Sequence, residues 1–179
     1  MNDKHHLLAT DAEILRRRAE SLAAPVDEHA LADLTSVLLF RVGRDWFGVS
    51  VADIREIFQD YAVTPLPCVP SHVRGVVNVR GEIISVLDPA VMMGLSIGRV
   101  EITPDTPAIV LASGEIVAAI AVNEIGDIAE VDPRAFETAA AIVDRVQAEF
   151  LSASVHYDSQ MIGLLNTARV LQPVIANRR

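Results

Sequence analysis

The stretch Arg74-Gly75-Val76-Val77-Asn78-Val79-Arg80-Gly81-Glu82-Ile83-Ile84-Ser85-Val86-Leu87-Asp88 holds two runs of β-branched and aliphatic residues on either side of Arg80-Gly81. Residues of that kind favour the pleated strand over the helix, and a Gly-containing pair between two such runs marks a hairpin. The first run is apolar but for Arg74 and Asn78, and Pro89 to Gly94 follows as a helical turn. On the N-terminal side, Tyr61 to Pro70 carries Pro65, Pro67 and Pro70. The missing amide donors make it an extended connection rather than a central strand. Further back, Ser36 to Val42 and Trp46 to Ser50 form another strand pair across Gly43-Arg44-Asp45.

Upstream of these strands the hydrophobic period is 3.6 rather than 2. Thr10-Asp11-Ala12-Glu13 reads as a capping box, in which hydroxyl and carboxylate reciprocally satisfy orphan amides. A helix is predicted over Asp11 to Ala24, with Leu15, Ala19, Leu22 and Ala23 on one face and Pro25 as its stop. Val26 to Thr35 is a polar tether. Arg16-Arg17-Arg18 reads as the solvated face of that helix, with Glu13 and Glu20 at i,i+4 spacing.

The second half repeats the strand plan of the first. Val51-Ala52-Asp53-Ile54-Arg55-Glu56-Ile57 returns 71 residues later (51 to 122) as Val122-Asn123-Glu124-Ile125-Gly126-Asp127-Ile128, each time after a Gly-turned hairpin. Ile84-Ser85-Val86-Leu87-Asp88 returns 78 residues later (88 to 166) as Ile162-Gly163-Leu164-Leu165-Asn166, each time before a helical turn. The chain is read as a duplication with about seven residues inserted in the second copy, within Pro133 to Gln147. Two copies imply two similar small barrels. The expected organisation is an N-terminal extension over 1–35, a β domain over 36–173 with subdomains of about 36–100 and 101–173, and a tail over 174–179.

Bulk properties exclude several function classes. Of the 179 residues, 51% are hydrophobic but only 4% aromatic, so Val, Ile, Leu and Ala must fill the core. A formal net charge of −9 offers no field for a polyanion, and the scarcity of aromatics disfavours base stacking. The single cysteine, Cys68, excludes an intramolecular disulfide and reads as a small apolar filler in a proline-rich turn. The N-terminus has no uninterrupted apolar stretch to serve as a secretion signal, and the apolar run Ile116 to Val122 is too short to span a bilayer, so a cytoplasmic location is expected.

A search for chemistry returns little. His5, His6, His29, His72 and His156 have no second ligand at helical or hairpin spacing, so neither a metal nor another cofactor is expected. Gly48-Val49-Ser50-Val51-Ala52 comes within one residue of an esterase elbow, which makes a small hydrolase using Ser50 the enzyme alternative. Its serine, however, continues an alternating strand. Gly75 to Gly81 lacks the Gly-Lys-Ser/Thr ending of a phosphate cradle. One polar feature stands out: Arg80 ends its strand in the same copy as Glu56, and an ion pair between them is predicted to fix two loops as one surface.

The strings Leu39-Phe40-Arg41-Val42-Gly43, Phe47-Gly48-Val49-Ser50-Val51, Ile54-Arg55-Glu56-Ile57, Thr64-Pro65-Leu66-Pro67 and Arg74 through Asp88 together resemble the CheW coupling-protein family, over about Val37 to Pro173. The Asn78–Arg80–Gly81 block with its following strand is the most specific part. The resemblance implies a mainly β fold of two SH3-like five-stranded barrels packed on a shared core. It also implies a non-enzymatic, cytoplasmic adaptor, recruited to membrane-bound receptor arrays, that needs no cofactor. Its partners would be the regulatory domain of a CheA-type histidine kinase, at the barrel ends, and the cytoplasmic hairpin tip of chemoreceptors, in a groove between the barrels. Ile54 and Ile57 would supply contact area, Glu56 and Arg80 the register, and Gly75 a close backbone approach to a partner, with Asn78 also among the partner-binding residues. Ile125 and Ile128 would be the corresponding contacts of the second barrel.

The chain departs from the family pattern at Asn123 and Asn166, where Asp is usual, in Ser152 to Tyr157, and in its N-terminal helix. These departures admit an alternative, a scaffold bridging other signalling proteins in a non-flagellar pathway such as surface sensing or pilus control.

Overall fold

The computed structural model describes residues 34–138 and 145–176. The helix expected over Asp11 to Ala24 lies outside the described residues. Ten strands are described: β1 (Thr35–Val42), β2 (Asp45–Ser50), β3 (Ile54–Phe58), β4 (Val73–Val79), β5 (Glu82–Leu87), β6 (Ala108–Ser113), β7 (Ile116–Ala121), β8 (Glu124–Val131), β9 (Leu151–Tyr157) and β10 (Gln160–Leu165). Three short α-helices accompany them, α1 (Pro89–Met92), α2 (Arg145–Ala148) and α3 (Thr167–Ala176), with two 3-10 turns at Val51–Asp53 and Pro133–Ala135. The protein is mainly β, as expected.

The strands form two five-stranded sheets, ordered β8-β1-β2-β10-β9 and β3-β6-β7-β5-β4. The repeat is visible in three dimensions, because each sheet has the same plan: a hairpin at its centre, a lone strand on one side and a second hairpin on the other. Its second hairpin meets the central one through a parallel pair, β10 with β2 and β5 with β7. The sheets nonetheless do not divide the chain near residue 100. Hairpin β1–β2 is hydrogen-bonded to the second-half strands β8 and β10, and hairpin β6–β7 to the first-half strands β3 and β5. The two halves have exchanged their leading hairpins.

Each sheet is drawn toward closure by the chain that follows its lone strand. In the first half Thr64 exchanges two backbone hydrogen bonds with Val76 of β4, at 2.8 and 2.9 Å. In the second, Glu137 exchanges two with Ser154 of β9, also at 2.8 and 2.9 Å. Val76 and Ser154 are themselves 78 residues apart, so the closures are copies of one another. The offset is 71 at β8, 73 at Glu137 and 78 at β9, which places the added residues between Val131 and Leu151, where the insertion was predicted.

Strand β1 explains how the lobes share a core. Its burial is continuous from Val37 to Phe40, on both faces of the strand. Val37 and Leu39 pack with Ala129, Val131, Val155 and Ile162 inside the first sheet's own lobe. Leu38, Phe40 and Val42 turn the other way, into a cluster that includes Ile109, Leu111, Ile120 and Leu87 of the other sheet. A central strand buried on both sides reads as an unbroken apolar run rather than an alternating one.

The cap positions repeat as well. Asp88 precedes α1 and its Oδ1 accepts from Ala90 N and Val91 N, while the Oδ1 of Asn166 accepts from Arg169 N at the start of α3. Their own amides donate to matched carbonyls, Asp88 N to His72 O and Asn166 N to Phe150 O. Cys68 is exposed, not a core filler, and sits at a φ of +57°. The proline-rich connection passes over the surface there, so a small side chain finds nothing to pack against.

A candidate docking surface at the strand ends

The Val79-Arg80-Gly81-Glu82 turn shows how the sequence builds an exposed, fixed cation. Val79 pairs with Glu82, leaving a two-residue loop with φ of +52° at Arg80 and +90° at Gly81. Positive φ at both central positions is the turn that follows the twist of the strands. Asn78 holds it: its Oδ1 accepts from Gly81 N at 2.8 Å. Arg80, at the tip, places its Nε 3.0 Å from Glu56 Oε2 of β3, with 84% of the arginine side chain and 20% of the glutamate side chain exposed. Beside it, Arg55 Nη1 reaches Glu82 Oε2 at 2.7 Å. Two crossed ion pairs therefore tie the lone strand β3 to the β4–β5 turn, across a groove of about 450 Å³ lined by Glu56, Ile57, Tyr61, Asn78 and Arg80.

Apolar side chains flank this staple. Ile57 is 42% exposed and Ile83, next to Glu82, is 70% exposed. Ile83 was not among the residues singled out from sequence, because nothing in Glu82-Ile83-Ile84 tells which isoleucine faces water. In the second lobe Ile128, the counterpart of Ile57, is 58% exposed. Ile54 and Ile125 behave differently. Both are partly buried and pack against the shared core, so their side chains are committed largely to the fold.

Gly75 also has an internal reason. It is buried at a φ of +142°, and a Cβ there would lie 2.2 Å from the carbonyl oxygen of Thr64. The close backbone approach anticipated for a partner is made by the chain's own closing segment.

Asp88 is fully buried, and its Oδ2 accepts from Arg74 Nη1 at 2.9 Å and from Val100 N at 3.1 Å. Arg74 also donates to Val100 O at 2.6 Å. Seventy-eight residues on, the same two positions are Ser152 and Asn166. Both charges of the first-half pair are replaced together by neutral groups, at positions less buried than Asp88, with Ser152 exposed and Asn166 partly buried. Asn123 keeps an acceptor, its Oδ1 taking Gly43 N at 2.7 Å, a role Asp would also fill.

Among the described residues no catalytic arrangement surrounds Ser50. Ser50 is the last residue of β2, opposite Val37, and leads into a single 3-10 turn (Val51–Asp53), but its φ of −56° is unstrained, unlike the serine of a nucleophile elbow. Burial lowers the His72 imidazole below its ordinary value of 6.5 and raises the Tyr61 phenol above 10, against an opposing pull from Arg74. Neither shift pairs with a nucleophile. Among the described residues there is no group of three or more His, Cys, Asp and Glu able to hold a metal ion, and no helix long and apolar enough to cross a membrane.

A family model described as the CheW-like domain matches residues 36–174. The chain belongs to the CheW-like family. It is 28% identical to a chemotaxis protein CheW of Rhizobium meliloti (strain 1021) over 129 residues, 72% of this chain and 82% of that protein. It is 32% identical to protein FrzA of Myxococcus xanthus over 135 residues, 74% of this chain and 82% of that protein. Among solved structures, the scaffolding protein TtCheW from Thermoanaerobacter tengcongensis superposes with a TM-score of 0.67 at 22% identity, covering 74% of this chain and 89% of that one. That likeness extends to the two-sheet fold described above.

Proposed function

We propose that this CheW-like chain is a non-enzymatic adaptor that couples chemoreceptors to a CheA-type histidine kinase, docking the kinase regulatory domain at its strand ends and the receptor's cytoplasmic hairpin tip between its lobes. The surface around Arg80, Glu56, Asn78, Ile57 and Ile83 is the contact assigned to the first lobe, and Ile128 marks that of the second. Apolar side chains ringed by fixed charges are the composition of a recognition surface rather than of an active site.

One observation carries the reading. Arg80 holds a left-handed backbone conformation that costs a non-glycine residue about 1–2 kcal/mol, while an exposed ion pair such as Arg80–Glu56 returns about 0–1 kcal/mol. The arginine is therefore a net burden on the fold, and its place at the tip of the turn is accounted for by what it meets outside the chain. The decisive comparison is Arg80→Gly, measured for thermal stability and for affinity to a CheA-type regulatory domain and to a receptor hairpin. Stability is expected to hold or rise, and affinity for at least one partner to fall about tenfold or more. Unchanged affinity for both would remove the surface from the account.

The likeness to FrzA favours a second reading in one respect, the pathway served. A chemosensory system other than flagellar motility, with its own kinase, uses the same surfaces and mechanism.

A further inference from the structure

The gap stapled by ion pairs in one lobe has a counterpart in the other, and there the charges differ. The positions of Arg55, Glu56, Arg80 and Glu82 correspond by the repeat to Gly126, Asp127, Asp158 and Gln160. The turn is the same, with Tyr157 paired to Gln160 and φ of +46° and +63° at Asp158 and Ser159. Where the first lobe sets a guanidinium against a carboxylate, the second sets a carboxylate on each side. Asp127 and Asp158 line a groove of about 220 Å³ together with Trp46, Gly126 and Tyr157. Both are exposed, and no ion pair or hydrogen bond of either carboxylate is found among the described residues.

The floor of this groove is aromatic. Trp46 of β2 lies against Gly126 so closely that a Cβ there would fall 2.7 Å from its ring. A side chain at 126 would push the indole aside, so the missing side chain keeps the ring in place. Tyr157 is 38% exposed at the rim, and Ile128 is exposed on the same strand as Asp127. Two acids, an indole and a phenol lining one groove combine negative charge with aromatic surface, which is the chemistry that holds a guanidinium or an ammonium group. The net charge of −9 adds attraction for a basic partner at long range.

We infer that the groove between β8 and the β9–β10 turn is a docking slot for an arginine or lysine side chain of a different, partner protein, which supplies from outside the cation that Arg80 supplies from within the first lobe. The slot is defined by the charge and shape on this chain and does not depend on whether the partner is the kinase, the receptor or another protein.

Trp46 is the single tryptophan of the chain, so its fluorescence reports on this groove alone. The full-length chain is titrated with a blocked Gly-Arg-Gly peptide and with the same peptide carrying citrulline, which keeps the shape of arginine and loses its charge. The arginine peptide is expected to shift Trp46 emission saturably, and the citrulline peptide to bind about tenfold more weakly. Asp127→Asn with Asp158→Asn is expected to erase that preference. Asp105→Asn with Glu115→Gln, which removes the same net charge elsewhere on the surface, should preserve it. Asp158→Arg, which rebuilds the first lobe's ion pair with Asp127, should block the peptide while the chain remains folded by circular dichroism. Equal binding of the two peptides, or an unaltered preference in the Asp127/Asp158 variant, would overturn the inference. So would self-association of the chain alone that Asp158→Arg abolishes, which would give the slot to a second copy. A Trp46 emission that moves when Arg16, Arg17 and Arg18 are replaced by glutamine would give it to the chain's own basic run, with the same consequence.

Discussion

At the scale of single residues, the duplicated chain supplies its own comparison. The ion pair Arg74–Asp88 and the neutral residues Ser152 and Asn166, which bond to Leu164 O and Arg169 N instead of to each other, occupy matched positions in the two halves. Breaking a buried ion pair on one side leaves a charge without its partner and costs about 3–5 kcal/mol. Arg74→Ser is therefore expected to destabilise by that amount in urea unfolding. Adding Asp88→Asn, which recreates the second-half combination, should recover more than half of the loss. Additive losses in the double variant would show that the two groups do not act as a unit. The Asn78–Arg80–Gly81 block was legible in the sequence, because its side chains act where they stand. The pairing of Arg74 with Asp88 was not, since a strand apolar but for Arg74 and Asn78 does not reveal that the arginine will turn inward to a buried carboxylate.

At the scale of elements, hairpins and their turns were legible because each is set by neighbours in sequence: β-branched runs, a Gly-containing loop and a period of 2. What closes each lobe was not. Tyr61 to Pro70 reads as an extended connection, which it is, yet Thr64 within it forms a two-bond bridge to Val76 over a glycine that no local rule explains. The partner-facing role of Gly75 is implied by the family resemblance alone, because the sequence does not reveal that Thr64 O is the atom that approaches it. Gly75→Ala should therefore act on folding. With a positive φ and a carbonyl oxygen inside contact distance, a loss of about 3 kcal/mol or more is expected, read as a fall in the urea midpoint at an unchanged m-value. A variant as stable as the parent would show that the closing segment yields freely.

At the scale of the whole molecule, the exchange of leading hairpins is the feature that sequence could not show. A repeat gives the order of elements along the chain, and two equal copies can build their lobes with or without exchanging a hairpin. The apolar run of β1, buried on both faces, is consistent with the exchanged arrangement, because that strand serves its own lobe and the shared core at once. A consequence follows for stability. Neither half contains a complete sheet, so the described β domain should unfold in one cooperative transition by tryptophan emission and by far-ultraviolet dichroism together, and residues 36–100 alone should not fold. Non-coincident transitions would mean that the lobes are independent. The same construction makes the two lobes one body, which suits the proposed adaptor, holding one protein at the strand ends and another between the lobes. Sedimentation of the full chain with a CheA-type regulatory domain and a receptor cytoplasmic hairpin tests that claim most directly. The account predicts a three-component complex in which kinase domain and hairpin co-sediment only when the chain is present. Two mutually exclusive binary complexes, or none, would contradict it.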